Sequence, residues 1–410
     1  MRSLFKKFVA ILLLPIYQYL YVLFLRRKEK INVVFFAMCL SMWKYQHLYE
    51  LLIKSTKFNP IIIILPCYTY SKDQQERDIK DLIAYFDSKG VVYTMGQNED
   101  GSYKDIRKLF SPDLLFYPQP YKGYFHKSLM YDQFYDKLLC YSPYAFWITQ
   151  DEWCYNEPLH KAAWKLFYST QFHKRDAEMY SLRKSSNVEI VGYPMADDFL
   201  SGQYVNLWKP QLVSKKKVIW APHFTISSGG FVSQSNFLWM SEVMLQIAKL
   251  YSDRIQFAFK PHPRLFTELC RHRDWGIDKA KEYYAKWSAM ENSQIEIGEY
   301  VDLFMTSDAM IHDSGSFCVE YHFSGNPVLY IASNFKEQVE KKNEFGQLAM
   351  KLHYVGCTIE HIIDFIEKVV LDGKDPKRSD RLHFRDKYLL PPNGKTVAQN
   401  TMDILLKAFC

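Results

Sequence analysis

The sequence predicts an α/β protein built from two doubly wound parallel sheets. Three observations carry this. The chain has 410 residues, the length of two domains rather than one. Short continuous apolar runs, the mark of strands buried on both faces, alternate with helix-periodic stretches. The alternation lapses near residues 201–217 and then restarts, as two successive arrays of β-α units require.

Taken in order, residues 1–30 form a basic and apolar segment. Ile31–Ala37 (INVVFFA) is the first strand and Tyr45–Lys54 a helix. Pro60–Leu65 (PIIIIL) is the second strand. Lys72–Lys89 is an amphipathic helix with Ile79, Leu82, Ile83 and Phe86 on one face, capped by Gly90. Val91–Thr94, Asp113–Tyr117, Ala145–Thr149 and Val188–Val191 read as further strands. Ser201–Lys217 has weak periodicity, a Gly, a Pro and three consecutive lysines, and reads as a linker. Beyond it, Val218–Ala221, Ile255–Lys260, Gln294–Ile297, Ala309–His312 and Pro327–Ile331 read as strands. Phe237–Tyr251, Ser316–Phe323, Thr358–Leu371 and Val397–Phe409 read as helical. The expected division is 1–30, a first domain 31–205, a second domain 206–385 and a closing helix 386–410. A site in the crevice between two such domains is the usual arrangement.

Hydrophobic residues at 48% and charged residues at 24% exclude a disordered chain. The formal charge of +7 first suggests an anionic partner, but its position narrows the choice. Arg2, Lys6, Lys7, Arg26, Arg27, Lys28 and Lys30 face only Glu29 in the first 30 residues, so +6 of the +7 sits there. The near-neutral remainder argues against a nucleic-acid-binding face. Phe8–Leu25 between the basic clusters is free of charge but interrupted by Pro15 and Gln18. With tyrosines suited to the headgroup level and no small-residue cleavage site, it is expected to lie peripherally on the cytoplasmic face of the membrane, against anionic lipid. The alternative is a single-span anchor. The eight cysteines form no CxxC pair, which points to reduced core thiols.

Three segments after predicted strands carry groups suited to phosphate. Trp220–Gly230 (WAPHFTISSGG) offers His223, Thr225 and small hydroxyl residues beside two glycines. Phe259–Arg264 (FKPHPR) presents Lys260, His262 and Arg264 on a proline-stiffened loop: a compact cation, a proton-transfer group and a bidentate fork. Ile311–Tyr321 (IHDSGSFCVEY) runs from His312 and Asp313 through Ser314, Gly315 and Ser316 into a helix start whose amides would suit an anion, with Glu320 one turn on to accept from ligand hydroxyls. In the first half, Tyr141–Trp153 leads to Pro158 and to His160, a catalytic candidate. His126, in an aromatic loop, reads as structural. No DxD motif is present to grip a cation between phosphates, so no metal is expected.

Ala221-Pro222-His223-Phe224, Lys260-Pro261-His262-Pro263 and His312-Asp313-Ser314-Gly315-Ser316, in this order, resemble the nucleotide-site loops of the CDP-glycerol glycerophosphotransferase family. These are the teichoic-acid primases and polymerases of bacterial cell envelopes. Gly192-Tyr193-Pro194 with Asp197 is similar to that family's stretch between its domains. The resemblance spans roughly residues 140–335. It implies a GT-B architecture with the donor in the second lobe, a CDP-polyol donor substrate, no cofactor, a lipid-linked acceptor, and peripheral membrane attachment. It also implies that Lys260, Arg264 and the Ser314–Ser316 helix start hold the diphosphate, with His262 as proton acceptor or phosphate ligand. The family's tryptophan-histidine-glycine motif has no counterpart here, and His160 stands in by position alone. Two other readings remain: a GT-B glycosyltransferase using a nucleotide sugar, and a non-catalytic membrane-associated assembly protein.

Overall fold

The computed structural model describes residues 2–226, 235–315 and 317–410, with side chains from Leu13 onward. The chain divides into two compact units, one of Met1–Asp197 with Leu389–Cys410 and one of Asp198–Tyr388.

The first unit holds a seven-stranded parallel sheet: β1 (Ile31–Ala37), β2 (Phe58–Ile64), β3 (Tyr93–Met95), β4 (Leu114–Tyr117), β5 (Leu138–Tyr141), β6 (Lys165–Tyr168) and β7 (Val188–Ile190). Their order is β3-β2-β1-β4-β5-β6-β7. The second unit holds six parallel strands: β8 (Lys216–Ala221), β9 (Ile255–Phe259), β10 (Ser293–Ile295), β11 (Ala309–His312), β12 (Val328–Ile331) and β13 (Tyr354–Gly356), in the order β10-β9-β8-β11-β12-β13. In each sheet the winding reverses beside the first strand, between β1 and β4 and between β8 and β11. That switch point opens a crevice at the carboxyl ends of the strands.

Packing explains why these runs become strands. On one face of the first sheet, Phe35 stacks on Phe116 at 4.7 Å and Phe116 on Phe167 at 6.0 Å. In the second, Trp220, Phe259 and Trp287 lie 5.0–5.4 Å apart, all buried. The strand expected at Ala145–Thr149 is a loop, and the strands there are β5 and β6 instead. The aromatic run in this loop packs on neighbouring loops, while the two short strands carry the sheet. The helix expected over Thr358–Leu371 is an α-helix over Ile359–Asp364 that widens into a π-helix over Phe365–Leu371.

The N-terminal helix, Arg2–Arg26, lies along the first unit. Leu14, Gln18, Val22 and Leu25 are buried, and Gln18 Nε2 donates to the Ala162 carbonyl at 2.8 Å. Tyr21 donates to Asp113, which also pairs with Lys28. The uncharged run thus spends one face on the protein's own core. No described helix is long and apolar enough to cross a membrane.

The C-terminal helix, Val397–Phe409, also belongs to the first unit. Asp197 accepts from the Val397 and Ala398 amides at 2.7 and 2.9 Å, satisfying two donors of the helix's first turn. Gly192 has φ +105°, and a Cβ there would lie 2.9 Å from Val397 and 3.1 Å from Pro391. Gly192 and Asp197 of the Gly-Tyr-Pro stretch therefore dock this helix.

Candidate functional site

The carboxyl edge of the second sheet gathers the loops after β8, β9, β10 and β11. Backbone bonds lock the first two together: the Lys260 amide donates to the Trp220 carbonyl at 2.8 Å, and the His262 amide to Pro222 at 3.1 Å. The prolines around His262 remove competing amide donors, so the loop stays extended beside β8. This brings the His223 and His262 rings to 5.1 Å, with Phe224 4.4 Å from each. The Arg264 guanidinium lies 4.2 Å from the centre of the Phe224 ring and pairs with Glu268 at 3.2 Å, while remaining largely exposed.

The two histidines are neutral. Burial lowers the pKa of His262 to about 3, helped by the nearby His223, Arg264 and Lys260. Burial lowers His223 to about 4, with Arg264 adding to it. The Arg264 amide donates to His262 Nδ1 at 3.1 Å, so the neutral ring carries its proton on Nε2. His223 Nδ1 shares a hydrogen bond with the Thr225 hydroxyl at 2.9 Å. The edge therefore offers a neutral ring N–H donor beside a permanent cation.

Asp313 fixes this edge. Its carboxylate accepts from the His223 amide at 2.7 Å and from the Asn236 amide, with Asn236 Nδ2 at 3.5 Å. Burial raises its pKa to about 6 against these hydrogen bonds, which pull it down. It anchors the β8 loop across the switch point. Lys260 is nearly buried, and its ammonium donates to the Gly298 carbonyl at 2.9 Å beneath the Tyr300 ring. Burial lowers its pKa to about 8, opposed by Glu296 and Glu299.

Other sequence candidates fall elsewhere. His312 faces the interior, where its ring lies 5.2 Å from Tyr330 and 5.3 Å from His353, which in turn lies 4.9 Å from His322. The Ser314 amide donates to His312 Nδ1 at 3.2 Å, and the Ser314 carbonyl accepts from Cys318. The expected helix start after Gly315 is a single α-turn, Phe317–Glu320, followed by a 3-10 turn. One turn aligns too few peptides for the dipole-driven anion site expected there. Glu320 is buried in that turn. Ser316, and Ser227, Ser228, Gly229 and Gly230 of the β8 loop, lie outside the described residues.

His160 is fully buried in the first unit. Its Nδ1 accepts from the Glu157 amide at 3.0 Å and closes the capping box of helix Pro158–Ala162. Burial holds its pKa near 3. This geometry makes it a scaffold residue, not a surface base. Asn236 and Gly298, which shape the edge from distant positions, carry no sequence motif. All eight cysteines are free. Among the described residues, no group of His, Cys, Asp or Glu is placed to hold a metal ion.

No protein-family model and no curated protein sequence matches the chain. Solved structures do. The wall teichoic acid polymerase TagF, in a histidine-to-asparagine variant, aligns with TM-score 0.60 at 14% identity, covering 100% of this chain and 97% of that one. A putative UDP-N-acetylglucosamine 2-epimerase from Listeria monocytogenes aligns with TM-score 0.59 at 15% identity, covering 92% and 96%. The UDP-GlcNAc 2-epimerase of Neisseria meningitidis, bound to UDP-GlcNAc, gives 0.56 at 14%, covering 92% and 100%. At such identities the likeness is one of fold: two doubly wound parallel sheets of the GT-B type.

Proposed function

We propose that the chain is a transferase that moves a phospho-polyol from a CDP-activated donor to a lipid-linked acceptor, in synthesis of a teichoic-acid-like cell-surface polymer. The observation that carries this reading is the convergence of His223, His262 and Arg264 at a loop pinned by Asp313, at the switch point of the second sheet. TagF, whose fold is similar along both chains, is a teichoic acid polymerase, and a second TagF structure was soaked with CDPG.

In this reaction an acceptor hydroxyl oxygen attacks the donor β-phosphorus. The bond from that phosphorus to the CMP oxygen breaks, CMP leaves with the electron pair, and the hydroxyl proton passes to solvent. The protein's part is positioning and charge stabilisation. His262 Nε2–H donates to a phosphate oxygen, and Arg264 swings from Glu268 onto the diphosphate, since an exposed pair of this kind is held weakly. Asp313 and Lys260 hold the loops that present them.

A nucleotide-sugar transferase is the second reading, favoured by the UDP-GlcNAc enzymes of similar fold. Thermal shift with CDP-glycerol, CDP-ribitol, UDP-sugars and GDP-sugars separates the two, because a ligand that binds only the folded state raises Tm. A shift with a CDP-polyol is expected. A shift with sugar nucleotides alone selects the second reading, and no shift with any of them leaves the non-catalytic assembly protein.

The same reading places the protein peripherally on the cytoplasmic face of the cell membrane, as an attachment that needs no span. What supports it is the outer face of the N-terminal helix, where Leu13, Ile16, Leu20 and Phe24 are each more than half exposed. The chain is expected to sediment with vesicles of anionic lipid at low salt. Phe24→Asp with Leu20→Asp should leave it in the supernatant, and unchanged sedimentation of that variant would sink the attachment.

A further inference from the structure

At the carboxyl edge of the first sheet, the loops after β2, β3, β4 and β5 carry a continuous aromatic cluster. Tyr121 lies 5.6 Å from Trp153 and 6.1 Å from Tyr124. Trp147 lies 5.8 Å from both Trp153 and Tyr144. The Tyr68 amide donates to the Tyr124 carbonyl at 2.8 Å, which joins a second group: His126 stacks on Tyr103 at 4.3 Å with planes 3° apart, and meets Tyr68 at 5.9 Å. The sheet's core does not need the outermost rings, since Trp153 is 48% and Tyr68 56% exposed.

The chemistry of this edge selects its ligand. On these loops Lys104, Lys122, Lys127 and Lys137 are outnumbered by Glu99, Asp100, Asp105, Asp132, Asp136, Asp151 and Glu152, so no positive field gathers a polyanionic chain. Flat rings with phenol hydroxyls at their rims offer an apolar face and a polar edge together. They suit a pyranose, whose C–H face rests on the negative face of an aromatic ring while its hydroxyls bond at the edge. The Tyr121 hydroxyl is shielded from solvent and has no hydrogen-bond partner among the described residues. A phenol left unsatisfied inside a cluster calls for a partner from outside it.

We infer that this cluster is a saccharide platform that stacks neutral pyranosyl units, one on Trp153 and Tyr121 and one on Tyr68. Its role as the seat of the acceptor's sugar rests on the transferase reading above; the binding of a saccharide does not.

The test is saturation-transfer NMR on the full chain with chitobiose, lactose and mannobiose, and with a glycerol phosphate oligomer. Ring protons of at least one disaccharide should receive saturation, and Trp153→Ala should weaken that binding at least tenfold. Tyr68→Ala, at a more exposed position, should weaken it as well. Both variants should keep the wild-type Tm and the wild-type nucleotide shift. The inference is overturned if no disaccharide is saturated. It also fails if both variants bind like wild type, or if the glycerol phosphate oligomer binds in a Trp153-dependent way. Saccharide binding without any nucleotide shift would uphold the platform and remove the transferase reading. A nucleotide shift without saccharide binding would do the reverse.

Discussion

His262 is the residue whose surroundings narrow its role the most. The Arg264 amide on Nδ1 and the burial that keeps the ring neutral together leave a donor, not a proton acceptor. His262→Ala is therefore expected to lower kcat/KM by about 10²–10³, the scale of losing one donor to developing charge. His262→Gln, which keeps an N–H at similar reach, should recover part of the loss. Equal losses in both variants would count against the donor role. Asp313 sets a pH limit. Its ionised form accepts from the His223 and Asn236 amides, so activity should fall as pH drops through about 6, while circular dichroism reports an intact fold. Activity that stays flat to pH 5 would exclude this. Lys260, His262 and Arg264 stand out in the sequence as neighbours on one stiff loop, but Lys260, expected on the diphosphate, is buried with its ammonium on the Gly298 carbonyl. His312 was misplaced because strand side chains alternate: it ends β11 facing inward, and Asp313, one residue on, faces the β8 loop. Asn236 was illegible, since its link to Asp313 spans the chain from one loop to another.

Among the elements, the Gly-Tyr-Pro stretch changes meaning most. Its resemblance suggested a segment between domains, and the chain does pass from the first unit to the second after Asp197; its Gly and Asp also seat the C-terminal helix. Gly192→Ala adds backbone strain at positive φ and a clash with Val397, for an expected loss of about 2 kcal/mol or more. Asp197→Ala removes an acceptor at the helix start, for about 1 kcal/mol. Chemical denaturation of both variants measures these, and a neutral Gly192→Ala would refute the docking role. β1, β11 and the C-terminal helix follow their expected residues end to end, because their apolar periodicity is strong and their ends carry turn or capping residues. β5 and β6 escaped notice because four-residue runs compete poorly with the longer aromatic run of the Tyr141–Trp153 loop.

For the whole molecule, the charge that pointed to an anionic surface is partly structural. Lys28 pairs with Asp113, and Arg26 donates to the Ala408 carbonyl at 2.8 Å, so part of the basic cluster secures the N-terminal helix. Neutral buried histidines dominate the pH response. His160, His173, His223, His262, His312, His322 and His353 all have pKa values lowered mainly by burial. The unfolded chain then binds more protons than the folded one below the ordinary histidine pKa of about 6.5, so stability rises with pH up to that point. Asp313, raised in the fold, offsets one of them. Tm should fall steeply between pH 6.5 and pH 4, with uptake of several protons on unfolding. A Tm unchanged across that range would show that the histidines ionise in the native state.

The division of the chain also bears on the order in which it can be made. Residues 198–388 form a contiguous unit, but the first unit waits for residues 389–410 to complete it. On the ribosome, the second unit can fold as soon as its own residues emerge. The sheet that starts first must hold its apolar faces unfinished until the whole of the second unit has been synthesised. A chain stopped at residue 388 should therefore lose the first unit's cooperative unfolding and keep that of the second, and the window for chaperone binding lies on the N-terminal half.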